Sequence, residues 1–315
     1  MKTFLKFFGL LFGLLLLVTI GFTAMNWAPD IPVTELKEKW AYPNSKFIEV
    51  DGMEVHYRIN GTGEPLILIH GTAASLHTWE EWTKILEKDF QVISLDFPAF
   101  GLTGPNNNGE YTLDFYTQFL DEFVKKIGVN HFSLAGNSLG GGIAWNYTAN
   151  HPEKVKKLIL IDASGYPIDK EPTLAFKLAK NNLASKLLLK ITPKALFRKS
   201  MKEVYYKDDL ITETLLERYY ELYLRPGNRQ AFVDRVQKHG KANFEKIKAI
   251  QQPTLIMWGK HDNWFTLDIA KQFQNDLPND ELIVYDNAGH VPMEEIPEQT
   301  ALDAKKFLLK NRVQN

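Results

Sequence analysis

Six short apolar runs constrain what this chain can fold into more than any other feature. They fall at residues 65–70, 91–96, 132–135, 158–162, 254–259 and 282–285. Helical patterns lie among and after them, at 79–88, 112–127, 141–150, 266–276 and 297–311. Apolar runs without alternating polar residues are strands covered on both faces, and strands separated by helices pair in parallel. Residues 47–50 and 54–59 flank Asp51-Gly52 and read as a β-hairpin ahead of them. The expected architecture is α/β: a mostly parallel eight-stranded sheet with helices on both faces.

In such sheets function gathers at the carboxyl ends of the strands. The run 132–135 leads into Gly136-Asn137-Ser138-Leu139-Gly140, then Gly141, Gly142 and a further apolar stretch. This G-x-S-x-G pattern sits at a sharp strand-to-helix turn, which lifts the Ser138 hydroxyl clear of the sheet. The turn also leaves the Leu139 N–H at a helix start. Run 65–70 ends in His70-Gly71-Thr72-Ala73-Ala74-Ser75, whose small residues let the backbone approach a ligand. An N–H from Thr72 or Ala73 can join that of Leu139 to form an oxyanion hole. Run 254–259 ends in Lys260-His261-Asp262-Asn263, and run 282–285 leads to Asn287-Ala288-Gly289-His290-Val291-Pro292.

These motifs resemble those of the capped α/β-hydrolases, the esterase, lipase and C–C-bond hydrolase group. The likeness spans residues 46–315. It rests on Gly136-x-Ser138-x-Gly140, His70-Gly71, Asp96-x-Pro98-x-x-Gly101, Trp258-Gly259-x-x-Asp262 and Gly289-His290, in that family's order. One departure is Ala99, where such loops often carry Gly; it is read as harmless. The resemblance implies that Ser138 is nucleophile, His290 base and Asp262 orienting acid. The chemistry suits these residue types. A hydroxyl is a weak nucleophile until an imidazole takes its proton, and a buried carboxylate fixes the imidazole tautomer.

Other readings are weighed beside these. Asp162 is the alternative acid, set aside because Ala163-Ser164-Gly165 continues toward a cap. Asp96 and His70 read as loop-structuring. His261 lacks a second histidine at metal-ligand spacing, so no metal is expected. His70, Phe97, Phe100, Trp264 and Val291 are the candidate pocket lining; Trp79 and Trp145 are weighed with them against ordinary packing. Epoxide hydrolases and haloalkane dehalogenases need an acidic nucleophile, and position 138 is Ser.

The net charge of −1 gives no bulk field for nucleic acid, and with no cysteine there is no disulfide or thiolate chemistry. No cofactor is implied.

Residues 7–24 form an unbroken uncharged apolar run, roughly 27 Å long as a helix at ~1.5 Å per residue. Phe22 stands where a signal-peptide cleavage site wants a small residue, so the segment reads as an uncleaved anchor. Lys2 and Lys6 would keep its start cytoplasmic, with Trp27 at the far interface. Secretion after cleavage is the alternative. The expected divisions are 1–27 stub and anchor, 28–45 tether, 46–166 and 244–315 hydrolase core, and 167–243 helical cap. Residues 28–45 contain Pro29, Pro32 and Pro43, hence the tether. Residues 167–207 carry ten Lys/Arg against three Asp/Glu amid leucines, a composition that can lean on an anionic membrane. Lys177 and Lys186, placed on one helix, would point to opposite sides of it.

The expected activity is hydrolysis of esters with short or medium apolar acyl chains, with a small-molecule ester and the lipid membrane as partners. Alternatives are C–C hydrolysis of ring-fission diketones and a non-catalytic receptor or scaffold.

Overall fold

The structure, a computed structural model, describes residues 2–310 apart from 169, 239 and 241. Residue 311, the last of the expected final helix, lies outside them. Eight strands form one sheet: β1 Lys46–Val50, β2 Met53–Asn60, β3 Glu64–Ile69, β4 Phe90–Leu95, β5 Phe132–Asn137, β6 Val155–Ile161, β7 Thr254–Gly259 and β8 Asp280–Tyr285. Their order is β1-β2-β4-β3-β5-β6-β7-β8. β1 pairs with β2, and β2 with β4, antiparallel; the remaining pairs are parallel. Asp51 and Gly52 close the hairpin with φ of +48° and +72°, as a tight primed turn requires.

The apolar runs explain the layering. Successive side chains point to opposite faces of a strand. Ile67 and Ile69 thus enter one core with Leu134, Leu158, Leu160 and Trp258. Leu66 and Leu68 enter the other with Ala135, Ile159, Ile161 and Met257. A strand buried on both sides must be apolar at every position, as these are.

The helices are α1 Lys2–Met25, α2 Val33–Trp40, α3 Glu80–Leu86, α4 Leu113–Lys126, α5 Leu139–Asn150, α6 Leu174–Lys180, α7 Ala184–Leu188, α8 Lys194–Lys202, α9 Glu213–Tyr223, α10 Asn228–Gln237, α11 Leu267–Asp276, α12 Pro292–Glu295 and α13 Pro297–Leu309. Between β6 and β7 the described residues form helices and loops, with no strand of the sheet. Lys177 and Lys186 lie on two helices, α6 and α7, not one: Asn181 ends α6 in extended backbone, and its side chain takes the Leu183 and Ala184 N–H groups.

α1 is long and apolar enough to cross a membrane, and its apolar stretch is unburied. Its exit is joined to the fold. Trp27 forms a β-bridge with Ile191, Ala28 N–H donates to Lys190 O (2.9 Å) and Thr192 N–H to Asn26 O (3.2 Å). Buried Arg229 on α10 ties the join, donating to Ala28 O (2.7 Å) and Asp30 Oδ1 (2.6 Å).

Residues 28–45 are not a loose tether. They contain α2, whose Leu36 is buried against Leu102 and Leu222. Lys39 pairs with Glu217 (3.0 Å) and Glu221 (2.7 Å) on α9, and Trp40 Nε1–H donates to Glu221. Pro32 precedes the helix rather than breaking it, a position where its fixed φ is tolerated.

Candidate active site

β5 carries Ser138 to the sheet's carboxyl edge, and α5 begins immediately after it. Ser138 has φ +54° and ψ −118°, a conformation that costs an L-residue of order 1–3 kcal/mol. The turn is possible because its glycines are bare. A Cβ on Gly136 would lie 2.2 Å from Gly140 O, and one on Gly140 would lie 2.3 Å from Ile69 O. Ser138 N–H donates to Ile161 O (3.0 Å), and Ser138 O accepts from Ser164 N–H (3.0 Å), so the strained residue is held on both sides.

His290 stands beyond β8 with its Nδ1 2.7 Å from Asp262 Oδ2. Asp262 Oδ1 accepts the N–H groups of Trp264 (2.6 Å) and Phe265 (3.0 Å). Both side chains are buried, and His290 shares a cavity with Ser138. Asn137 ties the two loops, donating from Nδ2 to Ile161 O (3.1 Å) and to His290 O (2.9 Å). No direct hydrogen bond joins Ser138 Oγ to His290 among the described residues; in unliganded sites that contact often tightens only with substrate.

Thr72, Ala73 and Leu139 line the same cavity, and no acceptor takes their N–H groups among the described residues. Ala73 has φ +60°, turning its peptide away from the usual course. These unclaimed donors are what a developing oxyanion needs.

The structure places Asp262, not Asp162, against His290. Asp162 lies behind it, fully buried, with Oδ1 accepting from Gly259 N–H (3.0 Å) and Oδ2 without a partner. Ligand atoms of Asp162, Asp262 and His290 all lie within 4.8 Å of one another. Burial, and then the charge of Asp262, raises the Asp162 pKa well above the carboxylate range.

The cavity measures about 440 Å³ and is mostly apolar, within the usual range for small-molecule sites. Of the expected lining residues, Trp264 and Val291 face it. His70, Phe97 and Phe100 do not. His70 Nε2 accepts from Phe97 N–H (3.1 Å), so Nδ1 bears the proton and donates to Gly71 O (2.8 Å). Burial lowers its pKa, keeping it neutral. Phe97 and Phe100 are spent on core packing. Trp79 and Trp145 are likewise core residues. Asp96 organises its loop, accepting from Leu76 N–H (2.7 Å), Leu102 N–H (2.8 Å) and His56 Nδ1 (2.8 Å). Burial opposes its ionisation, but the charge and hydrogen bond of His56 outweigh that and hold its pKa at about 2. Ala99, read as harmless, takes φ +84°, which favours glycine.

Sequence reasoning missed three residues. Glu295 is buried; its carboxylate accepts Gly289 N–H (2.7 Å) and Tyr206 N–H (2.8 Å), while His290 N–H donates to Val204 O (2.9 Å). The histidine loop is thereby tied to the insertion. Glu294 accepts from the hydroxyls of Tyr205 (2.6 Å), Tyr219 and Thr78. Arg235 lines the cavity from α10. Only Arg235 left a readable trace, as a charge one helical turn after Phe232.

Comparison with known proteins places the fold among characterised relatives. The chain is 29% identical over 260 residues to lipase 3 of Moraxella sp. (strain TA144), covering 79% of this chain and 78% of that one. It is 26% identical over 276 residues to the 2-hydroxy-6-oxo-6-(2'-aminophenyl)hexa-2,4-dienoic acid hydrolase of Metapseudomonas resinovorans, covering 84% and 90%. The crystal structure of a membrane phospholipase A, described as a bacterial virulence factor, superposes with a TM-score of 0.74 at 28% identity, covering 98% of both chains. A model of the alpha/beta hydrolase fold family matches residues 64–297. With its mostly parallel eight-stranded sheet, this chain belongs to the alpha/beta hydrolase fold family.

Proposed function

We propose that the chain is a serine hydrolase of carboxylic esters with apolar acyl chains. The observation that carries this reading is the convergence on one apolar cavity of a strained Ser138, the His290–Asp262 pair and three unclaimed N–H groups. Ser138 Oγ attacks the ester carbonyl while His290 Nε2 takes its proton. The oxyanion settles on the N–H of Leu139 and that of Thr72 or Ala73. The C–O bond then breaks, and His290 returns the proton to the departing alcohol. Water, deprotonated by His290, adds to the acyl carbon; the bond to Ser138 Oγ breaks, the acid leaves, and His290 returns the proton to Oγ. Asp262 keeps the proton on Nδ1 and stabilises the imidazolium.

α1 crosses the membrane with Lys2 and Lys6 on the cytoplasmic side, and the hydrolase lies outside. The bilayer is then a partner and a source of lipid esters. Support comes from the length of α1, its join at Trp27 and Ile191, and the likeness to a membrane phospholipase A. Carbonate extraction and protease accessibility in intact cells test it; a protein stripped by carbonate refutes the anchor.

p-Nitrophenyl esters of graded chain length, with a fluorophosphonate label, test the chemistry. Turnover and labelling are expected, both lost in Ser138→Ala. Full activity in that variant overturns the assignment; an unlabelled, inactive wild type points to the non-catalytic reading. C–C hydrolysis is favoured by one observation, the 26% identity to a dienoic acid hydrolase. Turnover of chromogenic ring-fission products, with none of esters, would install it.

A further inference from the structure

α10 carries two buried arginines that differ in one respect. Arg229 is 2% exposed and paired with Asp30. Arg235, a turn and a half later, is 7% exposed and faces the catalytic cavity. Its Nε and Nη2 are buried without a hydrogen-bond partner, and no carboxylate pairs with it among the described residues. Asp234, next in the chain, accepts from Gln230 instead (2.9 Å). The rings of Phe100 and Phe232 lie 5.9 Å from the guanidinium carbon, at the outer limit of cation–π attraction. A guanidinium never deprotonates in practice, and a buried unpaired cation is costly to keep. Burial lowers the pKa of Arg235 and outweighs the opposing effect of Tyr116 and Tyr223.

We propose that Arg235 is an anion anchor in the substrate cavity, and that the ligand bears an oxyanion, carboxylate or phosphate, on an apolar chain. This rests on the ester-hydrolase reading and narrows it. The guanidinium offers a fork of donors that matches the two oxygens of either group. The apolar lining receives the chain, so neutral esters bind without satisfying the cation, and anionic ones complete it.

The experiment has a binding arm and a turnover arm, both on the full chain in detergent. In the Ser138→Ala protein, decanoate and monodecyl phosphate are expected to raise the thermal midpoint more than decanol does. Arg235→Met should abolish that excess and retain the decanol shift. The larger of the two anion shifts separates a carboxylate from a phosphate source. In the turnover arm, p-nitrophenyl decanoate is compared with the mono-p-nitrophenyl ester of sebacic acid, which carries a distal carboxylate. Arg235→Met should cost kcat/KM on the hemiester about 10- to 100-fold more than on the neutral ester, the value of a charged hydrogen bond. Equal losses on both esters, or an undiminished anion shift, overturn the proposal. Wild-type inactivity on both esters would instead defeat the esterase reading, and the binding arm still decides Arg235. The apo midpoint of Arg235→Met should not fall, because methionine fills the space without an unpaired charge. Should that variant fail to fold, Arg235→Gln takes its place in both arms.

Discussion

His290 Nδ1 and Asp262 Oδ2 lie 2.7 Å apart, and the other Asp262 oxygen is held by two backbone N–H groups. The carboxylate is thereby fixed in place, and its second oxygen meets the imidazole. Asp262→Asn keeps the shape but presents an amide to Nδ1, favouring the wrong tautomer. A loss in kcat on the order of 10⁴-fold is expected, with KM little changed. Steady-state kinetics on a p-nitrophenyl ester check it; a loss below tenfold would remove Asp262 from the mechanism.

Asp162 supplies a prediction about pH. Its folded pKa is raised well above the ordinary 3.8, by burial and then by the charge of Asp262. The folded state thus holds a proton that the unfolded state has lost. Stability falls as pH rises from about 4 toward the folded pKa, by about 1.4 kcal/mol for each pH unit crossed. Asp162→Asn is permanently neutral and can still accept from Gly259 N–H. Its stability relative to wild type should grow from pH 4 to pH 8, measured by denaturant unfolding. A constant difference across that range contradicts the account.

Asp96 acts in the opposite sense. Its folded pKa of about 2 lies below 3.8, so its stabilisation is present above pH 4 and is lost as pH falls through 2. Asp96→Asn leaves His56 and two N–H groups poorly matched, and should cost roughly 3 kcal/mol at pH 7. The deficit should shrink in acid, because below about pH 4 the unfolded wild-type carboxylate takes up a proton that the folded one, with a pKa of about 2, does not yet bind. Unfolding midpoints at pH 7 and pH 3 measure this.

Glu295 holds the Gly289 N–H with one oxygen and the Tyr206 N–H with the other. Glu295→Ala should let the histidine loop shift, lowering kcat by up to about 10²-fold, the scale of a 1 Å misplacement. Glu295→Gln should recover part of the loss, since its carbonyl still accepts one N–H. Fluorophosphonate labelling rates should follow kcat. If only the melting temperature moves, Glu295 supports the fold and not the site.

Much of this was legible because buried strands leave no choice at any position, so the runs at 65–70 and 158–162 announce themselves. Ser138 was legible through its glycines, which have a local cause. Residues 28–45 were not, since three prolines resemble a linker unless Leu36 is seen to meet Leu102 and Leu222. Glu295 leaves no periodic mark, because its partners come from residues 206 and 289 only after folding. The strain at Ala99 depends on a φ that composition cannot reveal.

The join at Trp27 and Ile191 bears on how such an enzyme is handled at the bench. Ile191 and Thr192 form part of the cavity wall and are clasped by the backbone of residues 26–28. A cut at Met25 keeps that clasp, whereas trimming the N-terminus past residue 28 to obtain a soluble preparation removes it along with the greasy helix. Chain-length selectivity measured on a shortened protein would then describe a chamber with one loosened side.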